Sequence, residues 1–508
     1  MPATTYPPLV DLDDDALRAP VLTTGEAEER AFLDHVRRGV VGLDAKIATS
    51  EGEKPLLYFD WIASGRFHHA VEDALNARVL PFMANTHTET SATGRRMTGL
   101  YERAFRRIAA YVNAGPDDVV LPVGSGSTGA VNRLIQVMGL RIPSALEDRY
   151  GLSRHIPASE RPVVFRSQME HHSNDVTWRE TIADTVYVAF DAHGRISPEA
   201  LDAALERYRD RPLKIGTFSA ASNVTGIRND CHALARVLHR HGALAFFDYA
   251  AAGPYVDIDL HPGGPGGAPD EDARPDAVFL SVHKFLGGPR APGLLIANRR
   301  LFSNRVPAEP GGGTVLYVSP TEHEYVQDTS HRETGGTPPI VGSIQAGLCF
   351  DLKHAIGTGR IRRVEHDYLT RSLAAWSADS RLQILGDLEA ERLGVVSLIF
   401  RGIHHNLAVA LLNDHFGIQV RGGCMCAGPY GHELLHIDER VSHAIRCELE
   451  HGHQSVKPGW VRVCFSPVTG EQEFQTLLEA VDWVAAHGRE QAARYRLVDA
   501  TGEWRRVG

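Results

Sequence analysis

Between residues 115 and 300, short apolar runs rich in β-branched and aromatic residues alternate with longer segments whose apolar positions recur every three and four residues. "DVVLPVG", "PVVFRSQ", "TVYVAF", "KIGTFSA", "LAFFDYA", "AVFLSV" and "GLLIAN" predict strands. "TGAVNRLIQVMGL", "SPEALDAALERYRD" and "NDCHALARVLHRHG" predict amphipathic helices between them. This is the rhythm of βαβ units, and it predicts an α/β fold: a mainly parallel sheet with helices on both faces. Ligands of such a sheet gather at the carboxyl ends of its strands.

After about residue 350 the pattern changes. Helical segments ("GSIQAGLCFDLKHAIG", "FQTLLEAVDWVAAHG") surround a few strands ("LGVVSLIFRG", "WVRVCFSP"), which predicts a smaller α+β lobe. The expected division is an N-terminal segment, 1–55, packing on the lobes through the helical "GEAEERAFLDHVRRGVVGL". A large domain, 56–350, follows, then a small domain, 351–508. Gly-Pro-rich stretches at 261–276 and 307–314 read as loops, and no fixed-period repeat is visible.

Charge narrows the partners. The chain of 508 residues carries 53 Lys and Arg against 63 Asp and Glu, a balance of −10 that argues against nucleic acid or an anionic membrane as the main partner. The first twenty residues lack the basic and apolar regions of a secretory signal. No apolar run approaches the length of a membrane span. Six cysteines, four of them scattered, do not form a secreted disulfide framework, so a cytoplasmic location is expected.

Candidate chemistry sits at predicted strand ends. In "FLSVHKFLGG", Lys284 follows a strand directly, where burial would lower its pKa and free the amine to form a Schiff base with a carbonyl cofactor. Asp248 closes the strand of "FFDYAAAGP", either capping a turn or supplying the anion that a pyridinium nitrogen needs. "GSGSTGAVN" places Ser127 and Thr128 at a helix start suited to phosphate, though it lacks the P-loop ending. "EHHSN" offers His171 and His172, better suited to stacking on a ring than to zinc, and Asn223 in "SNVTG" could donate to a ring oxygen. No metal site is expected.

Taken in order, these motifs resemble the fold-type I pyridoxal-phosphate enzymes, and within them the class V aminotransferase superfamily with its cysteine desulfurases and selenocysteine lyases. The resemblance runs from "LYFDWIASG" through "THTETSATG", "EHHSN", "SNVTG", "FDYAA", "SVHK", "GGTP" and "VRGGCMCAGP" to "RVCFSP". It implies a seven-stranded sheet in the large domain, with pyridoxal 5'-phosphate bound to Lys284, Asp248 beside the pyridine nitrogen and His171 stacked on the ring. It implies that Ser127, Thr128, Ser281 and His283 hold the phosphate. Thr337 would reach the phosphate of a partner subunit in a homodimer, and Arg462 would clamp the substrate α-carboxylate.

The same resemblance places the attacking thiol on Cys426, in a loop of the small domain, with L-cysteine yielding alanine, a Cys426 persulfide and sulfur for an acceptor protein. Cys424 has no counterpart role. A bridge between residues two apart would be strained, and a zinc site would have to recruit His432 or His436. Ala251 stands where desulfurases have glutamine, and Pro339 where asparagine is common. The triple alanine and the Cys-x-Cys loop are similar to molybdenum cofactor sulfurases. The chain also exceeds a typical desulfurase at its N-terminus and around 141–160, 303–330 and 439–458. The competing expectation is a pyridoxal-phosphate C–S lyase, epimerase or related enzyme with Cys426 incidental; a scaffold that kept the fold and a metalloprotein stand further off.

Overall fold

A computed structural model describes residues 6–13, 16–86, 88–263 and 268–507. The apolar runs form one sheet: β1 (Asp118–Val123), β2 (Val163–Arg166), β3 (Asp184–Tyr187), β4 (Lys214–Ser219), β5 (Leu244–Asp248), β6 (Ala277–Ser281) and β7 (Gly293–Asn298). Their order is β1-β7-β6-β5-β4-β2-β3. The pairs from β3 through β6 are parallel, whereas β7 lies antiparallel between β6 and β1. The seven strands are those the hydrophobic pattern predicts, and the mainly parallel α/β fold is present.

Alternation along the strands divides the core into two layers. Phe165, Phe247, Val278, Leu280 and Ile296 face one side, where they meet the helices Pro198–Arg207, Cys231–Arg240 and Ile340–Ile356. Val164, Phe246, Phe279 and Leu295 face the other, against Val131, Leu134 and Ile135 of the helix Gly126–Val137 and Trp178 of His172–Arg179. With both faces covered, the five central strands β2 and β4 to β7 are buried along nearly their whole length.

The helix containing "GSIQAG", which the sequence groups with the smaller lobe, packs in this main core through Ile344, Leu348, Phe350 and Leu352. Nearly every residue of Ile340–Ile356 is buried, and a helix apolar all round belongs in the deepest layer. It is tied to Ala92–Tyr111 by a buried ion pair, Arg107–Asp351 at 3.0 Å, and by the Tyr111 hydroxyl donating to Asp351 Oδ1 at 2.9 Å. The N-terminal segment is laced over these two helices. Arg18 N–H donates to the Tyr111 hydroxyl at 2.6 Å and Val21 N–H to the Ala355 carbonyl at 2.9 Å.

The C-terminal part forms a second, antiparallel sheet of β8 (Leu382–Ile384), β9 (Val395–Phe400), β10 (Arg421–Gly423) and β11 (Trp460–Cys464), ordered β8-β9-β11-β10. Leu398, Phe400, Val461 and Val463 pack on the helices His405–Phe416 and Glu471–Gln491 as a separate core. The extra segments are ordered. Residues 141–160 hold a short helix, Ser144–Tyr150; 303–330 hold a hairpin of Val315–Val318 with His323–Tyr325; and 439–458 hold the helix Glu439–Glu450. In the Gly-Pro loop at 261–276, residues 264–267 lie outside the described residues.

One strap crosses between the sheets. In "LYFDWIASG", Leu57–Tyr58 pairs in parallel with Ile418–Gln419, Cys464 N–H donates to the Phe59 carbonyl at 2.8 Å, and Gly65 N–H donates to the His283 carbonyl at 3.0 Å. A Cβ on Gly65 would lie 1.9 Å from the Phe285 carbonyl oxygen. Gly65→Ala should therefore push the strap off the turn that carries Lys284, lowering stability by about 1–3 kcal/mol as an overpacking change, read as a fall in denaturation midpoint.

Candidate active site

The carboxyl ends of β1, β4, β5 and β6 open onto one cavity. At its floor the helix Gly126–Val137 begins without a side-chain cap from Ser125, so the N–H groups of its first turn, apart from that of Ser127, are open to an anion. Gly126 has φ 58°, and a Cβ there would stand 2.8 Å from both Ser281 Oγ and His283 Cε1. Ser127 N–H donates to Ser281 Oγ at 2.9 Å, and the hydroxyls of Thr128 and Ser173 hydrogen-bond at 2.6 Å. Gly293 of β7 is pressed against the same turn; its Cβ would meet the Gly126 carbonyl oxygen at 2.2 Å. Two glycines thus let the turn sit beside the histidine and serine of "SVHK".

Lys284 lies on the single turn Val282–Lys284 that follows β6, and Asp248 ends the neighbouring β5. Desolvation lowers the Lys284 amine to about 8, against the opposing pull of Asp248. Burial raises the Asp248 carboxyl; a 2.8 Å hydrogen bond from Ala250 N–H and the lysine's charge act against that rise. His171 falls to about 3 because it is buried and faces Lys284, and His283 falls to about 4 for the same two reasons. Both imidazoles are therefore neutral at neutral pH. His171 Nδ1 accepts from Ser173 N–H at 3.2 Å, which orients the ring at the cavity and links it through Ser173 to Thr128.

Arg462, on β11, is buried and reaches the cavity from the second sheet. Its Nη2 pairs with Asp60 at 2.6 Å and its Nη1 donates to the Asn223 carbonyl at 3.0 Å. Asn223 itself donates from Nδ2 to the Met425 carbonyl at 2.8 Å, while its buried Oδ1 has no partner in the protein. Arg421 stands directly opposite Arg462 in the β10–β11 register and also lines the cavity.

The cysteine loop is a tight turn. Ala427 N–H donates to the Cys424 carbonyl at 3.1 Å, and the two central residues, Met425 and Cys426, have φ 55° and 57°. Left-handed backbone costs residues with a Cβ roughly 1–2 kcal/mol each. Met425 lines the cavity, whereas Cys426 is half-buried beside it and Thr337 is exposed away from it. Cys424 packs against the small apolar cluster that contains Met169, Tyr430 and Trp460; both thiols are free. His432 spends its ring nitrogens on the Gly428 carbonyl (2.8 Å) and Ser442 (2.9 Å). Among the described residues no three His, Cys, Asp or Glu side chains converge as metal ligands.

The structure thus gathers Ser127, Thr128, His171, Asn223, Asp248, Ser281, His283, Lys284 and Arg462 around one space. Ala251 also lines it, so no side-chain donor stands where desulfurases have glutamine. Sequence reasoning missed Arg421, Asp60, Ser173 and Glu170. Glu170, fully buried, accepts from Ser167 (2.6 Å), Asn174 (2.7 Å) and Ser219 (2.7 Å), and burial pushes its carboxyl up to about 7. A carboxylate inside the apolar-flanked "SQMEHHSN" was the available signal, since such a group is buried only with donors around it.

The family described as Aminotransferase class-V matches residues 57–473. The chain belongs to that family. A probable cysteine desulfurase of Halalkalibacterium halodurans is 27% identical over 380 residues, covering 74% of this chain and 85% of its own. A cysteine desulfurase of Klebsiella pneumoniae is 28% identical over 381 residues, with the same two coverages, 74% and 85%. Among solved structures, an apo cysteine desulfurase from Thermococcus onnurineus NA1 superposes with a TM-score of 0.70 at 20% identity, covering 89% of this chain and 98% of that one. The cysteine desulfurase CsdA of Escherichia coli gives 0.64 at 22% identity, with 90% and 98% covered. The shared architecture is the fold-type I one.

Because the folded Lys284 amine is lowered to about 8, its neutral fraction rises through that pH rather than above 10. Labelling of the chain with a small aromatic aldehyde, trapped by borohydride and mapped by mass spectrometry, should modify Lys284 with a midpoint near pH 8; a midpoint near 10 would mean a solvated amine. Gly293→Ala should displace the 124–128 turn and weaken inorganic phosphate binding in a titration, leaving the Lys284 profile in place.

Proposed function

We propose that this class V family member is a pyridoxal-phosphate enzyme of the cysteine desulfurase type, taking sulfur from L-cysteine to leave alanine and a persulfide on Cys426. The observation that carries the cofactor is buried Asp248 beside half-buried Lys284, with a glycine-lined helix start in the same cavity. An aromatic nitrogen, an aldehyde and a phosphate on one small molecule fit those three features, and the free Oδ1 and second N–H of Asn223 remain for its ring. Bound there, the cofactor supplies an electron sink for carbanion chemistry at the substrate's α- and β-carbons.

The chain's own groups do the rest. Ser127, Thr128, Ser281 and His283 would hold the phosphate, and Asp248 would keep the ring nitrogen protonated. Neutral His171 offers a flat, uncharged face for stacking. Arg462, its orientation set by Asp60 and the Asn223 carbonyl, receives the substrate carboxylate in a bidentate pair. The Lys284 amine, poised near neutrality, accepts and returns the α-proton. Cys426 thiolate attacks the γ-sulfur: the S–S bond forms as the C–S bond breaks, and the carbon skeleton leaves as alanine after protonation. The 27–28% identity to desulfurases over most of the chain supports this reaction.

A second reading is favoured by one observation: Met425, not Cys426, faces the cavity. A C–S lyase or epimerase would need no thiol there. Three further features belong to the first reading. Exposed Thr337 and the exposed apolar hairpin residues Leu316, Tyr317 and Val318 fit a homodimer in which Thr337 serves the partner's site. A persulfide needs an acceptor, which a sulfur-carrying protein thiol would supply. Free cysteines fit a cytoplasmic location, and no described helix is long and apolar enough to cross a membrane.

The test combines a spectrum with product analysis. The protein loaded with pyridoxal phosphate should show a band near the visible edge that shifts with L-cysteine and should release alanine. Cys426→Ser should keep the band and lose alanine formation; continued turnover by that variant would favour the lyase. Arg462→Lys should raise KM for L-cysteine by about tenfold, since a point charge replaces a two-pronged clamp.

A further inference from the structure

His172 neighbours the stacking histidine but does not line the cavity. Its ring sits 6.3 Å from that of His171 and is turned toward the cysteine loop. Its backbone N–H donates to the Cys426 carbonyl at 2.8 Å, and its Nε2 accepts the Gly428 N–H at 2.9 Å. From the opposite side, Asn223 Nδ2 donates to the Met425 carbonyl at 2.8 Å. Residues 425, 426 and 428 are each gripped from outside the loop.

A grip of this kind has a physical need to meet. Two successive left-handed residues with side chains relax unless the surroundings over-determine them. Once Met425 and Cys426 return to negative φ, the thiol swings with the backbone. The hydrogen bonds that hold the turn therefore also decide where the thiol stands, and the ring bond to Gly428 is the one of the three made by a side chain outside the cavity.

We propose that His172 is a positioning residue for Cys426: ring and backbone together clamp the 424–428 turn, and its ring acceptor sets the balance between a gripped loop and a released one. Gripped, the loop presents Met425 to the cavity and keeps Cys426 half-buried; released, it frees the thiol to move. The catalytic meaning of this rests on the desulfurase reading, whereas the clamp is a property of the chain without substrate.

The experiment measures alkylation of Cys426 by iodoacetamide in the full chain loaded with pyridoxal phosphate and free of amino acid, resolved from Cys424 by mass spectrometry. His172→Leu removes the acceptor, and His172→Gln restores one near the position of Nε2. The clamp predicts that His172→Leu alkylates Cys426 about tenfold faster while His172→Gln stays within about twofold of the parent, with the cofactor band unchanged in both. Equal rates in the parent and His172→Leu, or equal rates in the Leu and Gln variants, would overturn it. Should His172→Leu not fold, His172→Asn replaces it: its amide is too short to reach Gly428, so it must alkylate faster than His172→Gln or the proposal fails. Loss of alanine formation in the parent enzyme would sink the desulfurase reading and leave these rates standing.

Discussion

Removing the Lys284 amine from water is the constraint around which the rest of the structure is arranged. An ammonium buried without compensation loses its proton, and here desolvation moves the amine to about 8 while Asp248, itself raised by burial, holds it from going further. The two sit at the ends of adjacent parallel strands, beneath helices on both faces and behind the strap of residues 57–65. Sheet order then brings the 124–128 turn to the same place: β7, antiparallel, returns beside β1 and lets Gly293 touch Gly126.

The second sheet supplies what a rigid parallel sheet cannot. Arg462 and Arg421 enter the cavity side by side from β11 and β10, and the turn after β10 carries the cysteines. Arg462 is held by Asp60 of the strap, so the residue proposed to receive substrate is oriented by the segment that also braces the Lys284 turn. Below them, Glu170 ties Ser167, Asn174 and Ser219 together and stiffens the ends of β2 and β4 under His171. The strained backbone at Met425 and Cys426 falls in the loop whose movement the proposed chemistry requires.

Much of this was legible in the one-dimensional pattern. The five central strands were readable because each is buried on both faces along nearly its whole length, whereas β1 alternates and the edge strand β3 is only half-buried. Lys284, Asp248, Asn223, His171 and the 124–132 turn stood out because each follows such a run, and strand ends are where this topology collects its ligands. Arg421 did not stand out, because a charged residue before glycines reads equally as a solvated turn. Glu170 was overlooked because its role is carried by serines and an asparagine on three separate segments. The helix Ile340–Ile356 was grouped with the wrong neighbours, since its burial on all sides leaves no polar face to reveal what it packs against.

By itself, then, the order of residues determined the strands, the layered fold and the set of groups able to hold a cofactor, because these follow from local periodicity and from what each side chain can do at a strand end. The tertiary structure alone decided that Met425 rather than Cys426 faces the cavity, that His172 faces the cysteine loop while His171 faces the site, and that Arg421 lies opposite Arg462. These depend on backbone handedness at two residues and on cross-strand register. Both are settled by contacts between segments some 40 to 250 residues apart, which no local pattern records.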